Sequence, residues 1–258
     1  MIRFFSRFLF LAFALSAASS LQAQDDESVF ASANRDFEAG DFEAAALKYL
    51  SLVEKGRVSP ELYYNLGTAR YREGKPGEAM LWLRRASVVD PGMPEASQNM
   101  EFLRERLAFL EFADSRLDAA LRALPPTFGK WLWTVALWVA LIALAAAFCL
   151  RRLHPNRSGL VTFAVVAGMI AVVGTRISSY RRDHLALENF ATVTESDTSA
   201  LTAPAPAAKS VIDLPPGSEV RILQETGNWR YADIPGDVRG WVRAEKLEPV
   251  WPVSRSSR

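Results

Sequence analysis

Pro60-Glu-Leu-Tyr-Tyr-Asn-Leu-Gly-Thr-Ala-Arg-Tyr-Arg-Glu-Gly-Lys-Pro-Gly-Glu-Ala79 holds the reading that decides the architecture of this 258-residue chain. Leu66 and Gly67 occupy the packing positions of a first helix. Ala79, Leu83 and Ala86 line a second helix, which Asp90-Pro91 ends. Stepping back 34 residues from Gly74 and Ala79 lands on Gly40 and Ala45, inside Glu38-Ala-Gly-Asp-Phe-Glu-Ala-Ala45. A helix pair of this size cannot bury its apolar side alone. Such units therefore stack, and the stack presents a concave wall to other chains.

The offset divides the N-terminal part into repeats over 26–59 and 60–93. A further helix over 94–107 follows, with Ala96, Met100, Leu103 and Leu107 at helical spacing and a polar opposite side that suits a cap. Residues 108–124 read as an amphipathic linker helix that stops at Pro125-Pro126. The Asn65-Leu-Gly-Thr-Ala69 stretch through Pro91 resembles tetratricopeptide repeats (TPRs), and the resemblance implies protein binding, not catalysis. It also implies which first-helix positions face the groove: Tyr64, Asn65, Thr68, Tyr71 and Arg72, then Gln98, Asn99 and Phe102 one period on. Asn65 and Asn99 share one position a repeat apart, and a side-chain amide can both donate to and accept from the backbone of an extended peptide. TPRs that clamp a C-terminal carboxylate carry lysines on this wall. Asn34 fits that pattern, whereas Phe30 and Tyr64 stand where a lysine is expected.

Half of the residues are apolar, and they concentrate in three runs. Met1-Ile-Arg-Phe-Phe-Ser-Arg7, an apolar core from Phe8 to Ser19 and Leu21-Gln-Ala23 form the layout of a secretory signal peptide over 1–23, the alternative being an uncleaved anchor. A run over 131–150 contains no charge and is long enough to cross a bilayer, with Phe128, Trp131 and Trp133 at its start. The run over 159–176 is short for a span. Between them, the arginine-rich loop 151–158 is expected in the cytoplasm, and both termini outside it. Neither run carries a central ionisable residue of the kind that marks an ion or proton path, so the pair reads as an anchor. Gly168 and the alanines are candidates for helix packing.

Residues 190–250 are strand-rich, with short β-branched runs separated by Gly, Pro and Asp, as in a small all-β barrel. Ala203 to Ala208 is expected as an extended loop. Leu214-Pro-Pro-Gly-Ser-Glu-Val220, Asn228-Trp-Arg-Tyr231 and Gly240-Trp-Val242 resemble a bacterial SH3-type domain. Trp229, Tyr231 and Trp241 are either the framework of a small core or the lining of a groove for an extended chain.

No catalytic or cofactor pattern stands out. His154 and His184 are expected on opposite sides of the membrane, and Gly-rich phosphate loops are absent from the sequence. The net charge of +1 and the lack of a basic, aromatic-interleaved stretch argue against nucleic acid. The lone Cys149 can form no internal disulfide. Signal peptide, repeats, a two-span hairpin and an SH3-type tail, in that order, resemble the BatE-type proteins of the Bacteroides aerotolerance operon. That resemblance implies a bacterial inner-membrane protein with its end domains in the periplasm, and a setting of membrane-anchored von Willebrand A-type proteins and a MoxR-type ATPase. The expected function is a non-enzymatic scaffold, and the alternative is a peptidoglycan-binding protein that recruits a cell-wall enzyme.

Overall fold

A computed structural model describes residues 24–113, 115–125, 127–149 and 156–251. The expected signal peptide, most of the arginine-rich loop, and His154 lie outside the described residues. Among the described residues the chain forms eight α-helices and a seven-stranded antiparallel sheet, and it divides into two compact units. Residues up to Phe112 and from Phe190 onward make the first, and Ala113 to Asn189 make the second.

In the first unit, α1 (24–38), α2 (Phe42–Glu54), α3 (Pro60–Arg72), α4 (Pro76–Val89) and α5 (Pro94–Arg106) form successive antiparallel hairpins and a closing helix. Their boundaries repeat with the period. Gly40 and Gly74 both take left-handed φ values, +85° and +80°, and a Cβ on either would meet no atom within 4 Å. Glycine is there for the backbone angle and not for space. In each case the next amide closes the turn, Asp41 N–H on Asp36 O and Lys75 N–H on Arg70 O, both at 2.9 Å. Asp41 and Ser59 cap the following helices by accepting from Ala44 N and Leu62 N. Pro60 and Pro94, one period apart, open α3 and α5 at positions that need no amide donor.

The apolar faces meet in two clusters. Ala33, Ala45, Tyr49, Leu52, Tyr63, Leu66 and Trp82 form the larger, and Ala79, Met80, Leu83 and Leu103 join α4 to α5. The segment expected to continue as a helix over 108–124 does not do so at once. Residues 108–113 form neither helix nor strand, and a helix, α6 (Arg116–Ala123), begins only at the Ser115–Asp118 capping box. The reason is a long-range pairing. Leu110 donates its amide to Ser218 Oγ at 3.0 Å and accepts from Glu219 N at 2.7 Å, which takes its backbone groups away from a helix.

The strands are β1 (Phe190–Val193), β2 (Thr198–Leu201), β3 (Ser210–Leu214), β4 (Glu219–Thr226), β5 (Trp229–Ile234), β6 (Val238–Arg243) and β7 (Leu247–Pro249), in the order β3-β2-β6-β5-β4-β1-β7. Residues 203–208 link β2 to β3 as bends and a turn. Ala191, Val193, Ala200, Leu214, Val220, Ala232, Ile234 and Val242 supply the core.

The sheet packs on α4. The two buried arginines of that helix reach main-chain oxygens more than a hundred residues away. Arg84 donates to Gly217 O at 3.0 Å, Thr192 Oγ1 at 2.8 Å and Glu111 Oε1 at 2.7 Å. Arg85, 2% exposed, donates to Val250 O at 3.2 Å and Pro249 O at 2.7 Å, and Trp251 packs on the larger helical cluster. Burial pulls the Arg85 guanidinium down to about 10, still far above neutral pH, so the cation persists.

In the second unit, α7 (Phe128–Cys149) and α8 (Arg157–Tyr180) lie side by side. At 1.5 Å per residue they measure about 33 and 36 Å, enough for a hydrocarbon layer of about 30 Å. Only 22% of each apolar window is buried, with Trp138, Ile142, Phe163 and Met169 exposed, which is unlike the core helix of a soluble domain. Small residues make the seam: Ala136, Ala140, Ala143 and Ala147 against Ala164, Ala167, Ala171 and Gly174. Gly174 and Gly129 are close-approach glycines: a Cβ would lie 2.6 Å from Trp133 N on the first and 3.0 Å from Gly174 O on the second, whereas Gly168 meets nothing within 4 Å. Below the pair, Arg181 donates to the carbonyls of Leu121 and Leu124 at the end of α6, and Tyr180 donates to Asp118 at 2.8 Å.

Candidate functional site

Residues 64, 65, 68, 71 and 72 recur at helical spacing, so α3 carries Tyr64, Asn65, Thr68, Tyr71 and Arg72 on one side. On α5, Gln98, Asn99 and Phe102 follow at the same offsets. The structure links the two rows. Asn34 Oδ1, on α1, accepts from Tyr49 Oη at 2.5 Å and from Asn65 Nδ2 at 3.3 Å. Thr68 Oγ1 donates to Tyr64 O at 2.9 Å and accepts from Asn99 Nδ2 at 3.4 Å. Burial pushes the Tyr49 phenol up to about 12, so the hydroxyl keeps its proton and donates it to Asn34 Oδ1.

Both asparagines therefore spend amide N–H groups on neighbouring helices, where the sequence reading left the whole amide to a partner. What remains open is acceptor capacity: no described residue donates to Asn65 Oδ1 or Asn99 Oδ1. The lysine position at Phe30 is filled by an aromatic contact with Tyr49, ring centroids 5.6 Å apart.

Beside the asparagines is a cavity of about 140 Å³ lined by Thr68, Tyr71, Arg72, Leu83, Asn99, Phe102 and Leu103. Five of these are expected wall residues. Tyr71 and Phe102 meet edge to face at 5.8 Å and form its sides. Leu83 and Leu103, each 1% exposed, are its floor. The floor was not anticipated, because a leucine that closes a cavity reads in sequence like any core leucine. Gln98 is exposed and Tyr64 half-buried against the core clusters, and neither lines the cavity. Two cations border it. Arg72 lies 4.5 Å over the Phe42 ring and Arg106 4.1 Å over Phe102.

On the sheet, Trp229 and Tyr231 alternate with the core-facing Ala232 and Ile234, and Trp241 alternates with Val242. All three aromatics are half-buried and stand outside the strand core. Tyr231 and Trp241 are cross-strand partners with centroids 5.1 Å apart, and Arg243 sits 5.5 Å over Trp229. Among the described residues no group of three or more His, Cys, Asp or Glu is placed to hold a metal ion.

No family model, curated protein or solved structure matches this chain.

Proposed function

We propose that the chain is a non-enzymatic scaffold of the bacterial cell envelope, anchored in the inner membrane by α7 and α8, which binds partner proteins along the α1–α3–α5 wall. The observation that carries this reading is the wall itself. It combines open amide oxygens, an apolar cavity and stacked guanidiniums on a side of the helices that the sheet does not occupy through α4. The 34-residue hairpins are read as TPRs and the sheet as an SH3-type domain, in an assembly of the BatE type with von Willebrand A-type and MoxR-type partners. A second reading, peptidoglycan binding through Trp229, Tyr231 and Trp241, is favoured only by the position of those rings outside the strand core.

Placing the wall photocrosslinker at exposed Gln98 tests the reading. The full-length chain is expected to form discrete heavier adducts in cells, and the same group at Glu54 on α2 is not. The Asn65→Ala, Asn99→Ala pair should cut adduct yield roughly tenfold, since each acceptor lost at a dry contact costs about 1–3 kcal/mol. Helicity should persist, with stability falling by about 0.5–1.5 kcal/mol for each internal bond removed. Equal yields from pair and parent would sink the wall as a binding surface.

Packing within the first unit supports the topology. Residues on either side of the α7–α8 pair in sequence form one body, held by Arg84 and Arg85. Such a body lies on one side of a bilayer, which requires an even number of crossings between Phe112 and Phe190. Even parity puts both parts of the unit on one side, and the expected signal peptide over 1–23 makes that side the periplasm. Alkaline phosphatase joined after Arg258 should be active and a cytoplasm-specific fluorescent reporter at that point dark; the reverse pattern overturns the topology.

A further inference from the structure

We infer that the wall takes an extended segment of a partner protein in which an apolar side chain is flanked by acidic residues. The apolar side chain fills the cavity over Leu83 and Leu103, and the flanking carboxylates meet Arg72 and Arg106. The inference rests on the protein-binding reading of the wall and adds the chemistry of what binds.

A volume of about 140 Å³ is of the order of one aliphatic or aromatic side chain. Its floor is two leucines and its sides are the rings of Tyr71 and Phe102, so the lining is mostly apolar and the polar partners for water are those of Thr68, Asn99, Arg72 and the Tyr71 hydroxyl. Water with few partners is readily displaced by an apolar group. The cavity thus selects by size and polarity, while Asn65 Oδ1 and Asn99 Oδ1 are placed to accept from peptide N–H groups.

The charge preference comes from which arginines are already satisfied. On the same two helices, Arg70 pairs with Glu73 and Glu78, and Arg104 pairs with Glu101 and Glu111. Arg72 and Arg106 form no ion pair with any described residue, and Glu105, next to Arg106 in sequence, does not engage it. Each guanidinium instead lies with its face over a ring. Stacking occupies the face and leaves the in-plane N–H groups, the set that fits a carboxylate two-pronged. Glu61 and Glu95 lie in the first turns of α3 and α5, the ends opposite Arg72 and Arg106, which leaves Glu105, one period on from Tyr71, as the one carboxylate beside the two cations at the cavity end. The cavity end of the wall therefore favours anionic neighbours for the side chain it holds.

The test uses the full-length chain in lipid nanodiscs and fluorescein-labelled ten-residue peptides with amidated C-termini, so that only side-chain carboxylates are offered. A leucine flanked by Asp and Glu should bind roughly tenfold or more tighter than the same peptide with serine at the centre, or with lysine flanks. Raising NaCl from about 50 to about 500 mM should erode that preference. The Arg72→Glu, Arg106→Glu variant, whose sites are exposed and whose helicity is checked by circular dichroism, should invert it toward lysine flanks. The milder Arg72→Gln, Arg106→Gln variant should abolish it. Equal binding of all peptides, or a preference unmoved by the charge reversal, overturns the inference. If Gln98 adducts persist while the peptides show no preference, the partner chemistry is wrong and the scaffold reading stands. If the adducts are also lost, both fall.

Discussion

Arg84→Met is expected to destabilise the first unit by about 3–5 kcal/mol, the cost typical of breaking a buried charged pair. The change deletes three hydrogen bonds from a charged donor and leaves Gly217 O and Thr192 Oγ1 buried without that partner. Glu111 is not stranded, because Arg104 still donates to its other oxygen at 2.7 Å, which keeps the loss below the sum of three separate bonds. Arg84→Lys should recover only part of it, since one ammonium cannot span three acceptors held in a fork. Thermal unfolding of the full-length chain in detergent, with limited proteolysis around residues 108–113, reads the effect. An unchanged melt would mean that Arg84 does not hold the sheet to α4. The staple also carries a pH signature. Burial pushes the Glu111 carboxyl up, but Arg104 and Arg84 outweigh burial and hold it below the usual carboxylate range. Its folded-state value being the lower one, its stabilisation is complete above the unfolded-state value and is lost as pH falls through the folded one.

Gly77→Val should act at the same contact from the other direction. A Cβ on Gly77 would lie 2.6 Å from Thr194 O and 2.8 Å from Val193 O, main-chain atoms and not the ends of flexible side chains. These cannot easily withdraw, for Val193 N donates to Ser218 O at 2.9 Å and Thr194 N to Lys246 O at 3.2 Å. The cost is expected at or above the upper end of roughly 1–3 kcal/mol for overpacking. Combined with Arg84→Met, it should cost clearly less than the sum, because the first change already opens the interface that the second disturbs. Additivity within about 0.5 kcal/mol in a double-mutant cycle would show that the two residues do not share one interface.

Much of the local structure is legible before folding. Gly74 and Gly40 mark helix ends because few other residues tolerate their backbone angle, and Pro60 and Pro94 mark starts because proline lacks the amide that a first turn leaves unused. Leucines and alanines at helical spacing name the core side of α3 and α4, and an uncharged run of twenty residues announces α7. Five of the eight wall residues implied by the TPR resemblance line the cavity, and helical spacing puts them on one side.

What the sequence by itself determined is therefore whatever depends on a residue and its near neighbours: the 34-residue period, the helix boundaries, the apolar runs and the strand-rich tail. Tertiary structure decided the rest. Arg84-Arg85 in a helix reads as a solvated pair until Gly217, Pro249 and Val250 arrive to accept from it. Residues 108–113 have helical composition, yet the backbone of Leu110 finds better partners at Ser218 and Glu219. The amides of Asn65 and Asn99 look free until α1 and α3 supply Asn34 and Thr68. In each case the deciding atom lies on another element, and a polar group takes whichever partner leaves fewest hydrogen bonds unmade once water is gone.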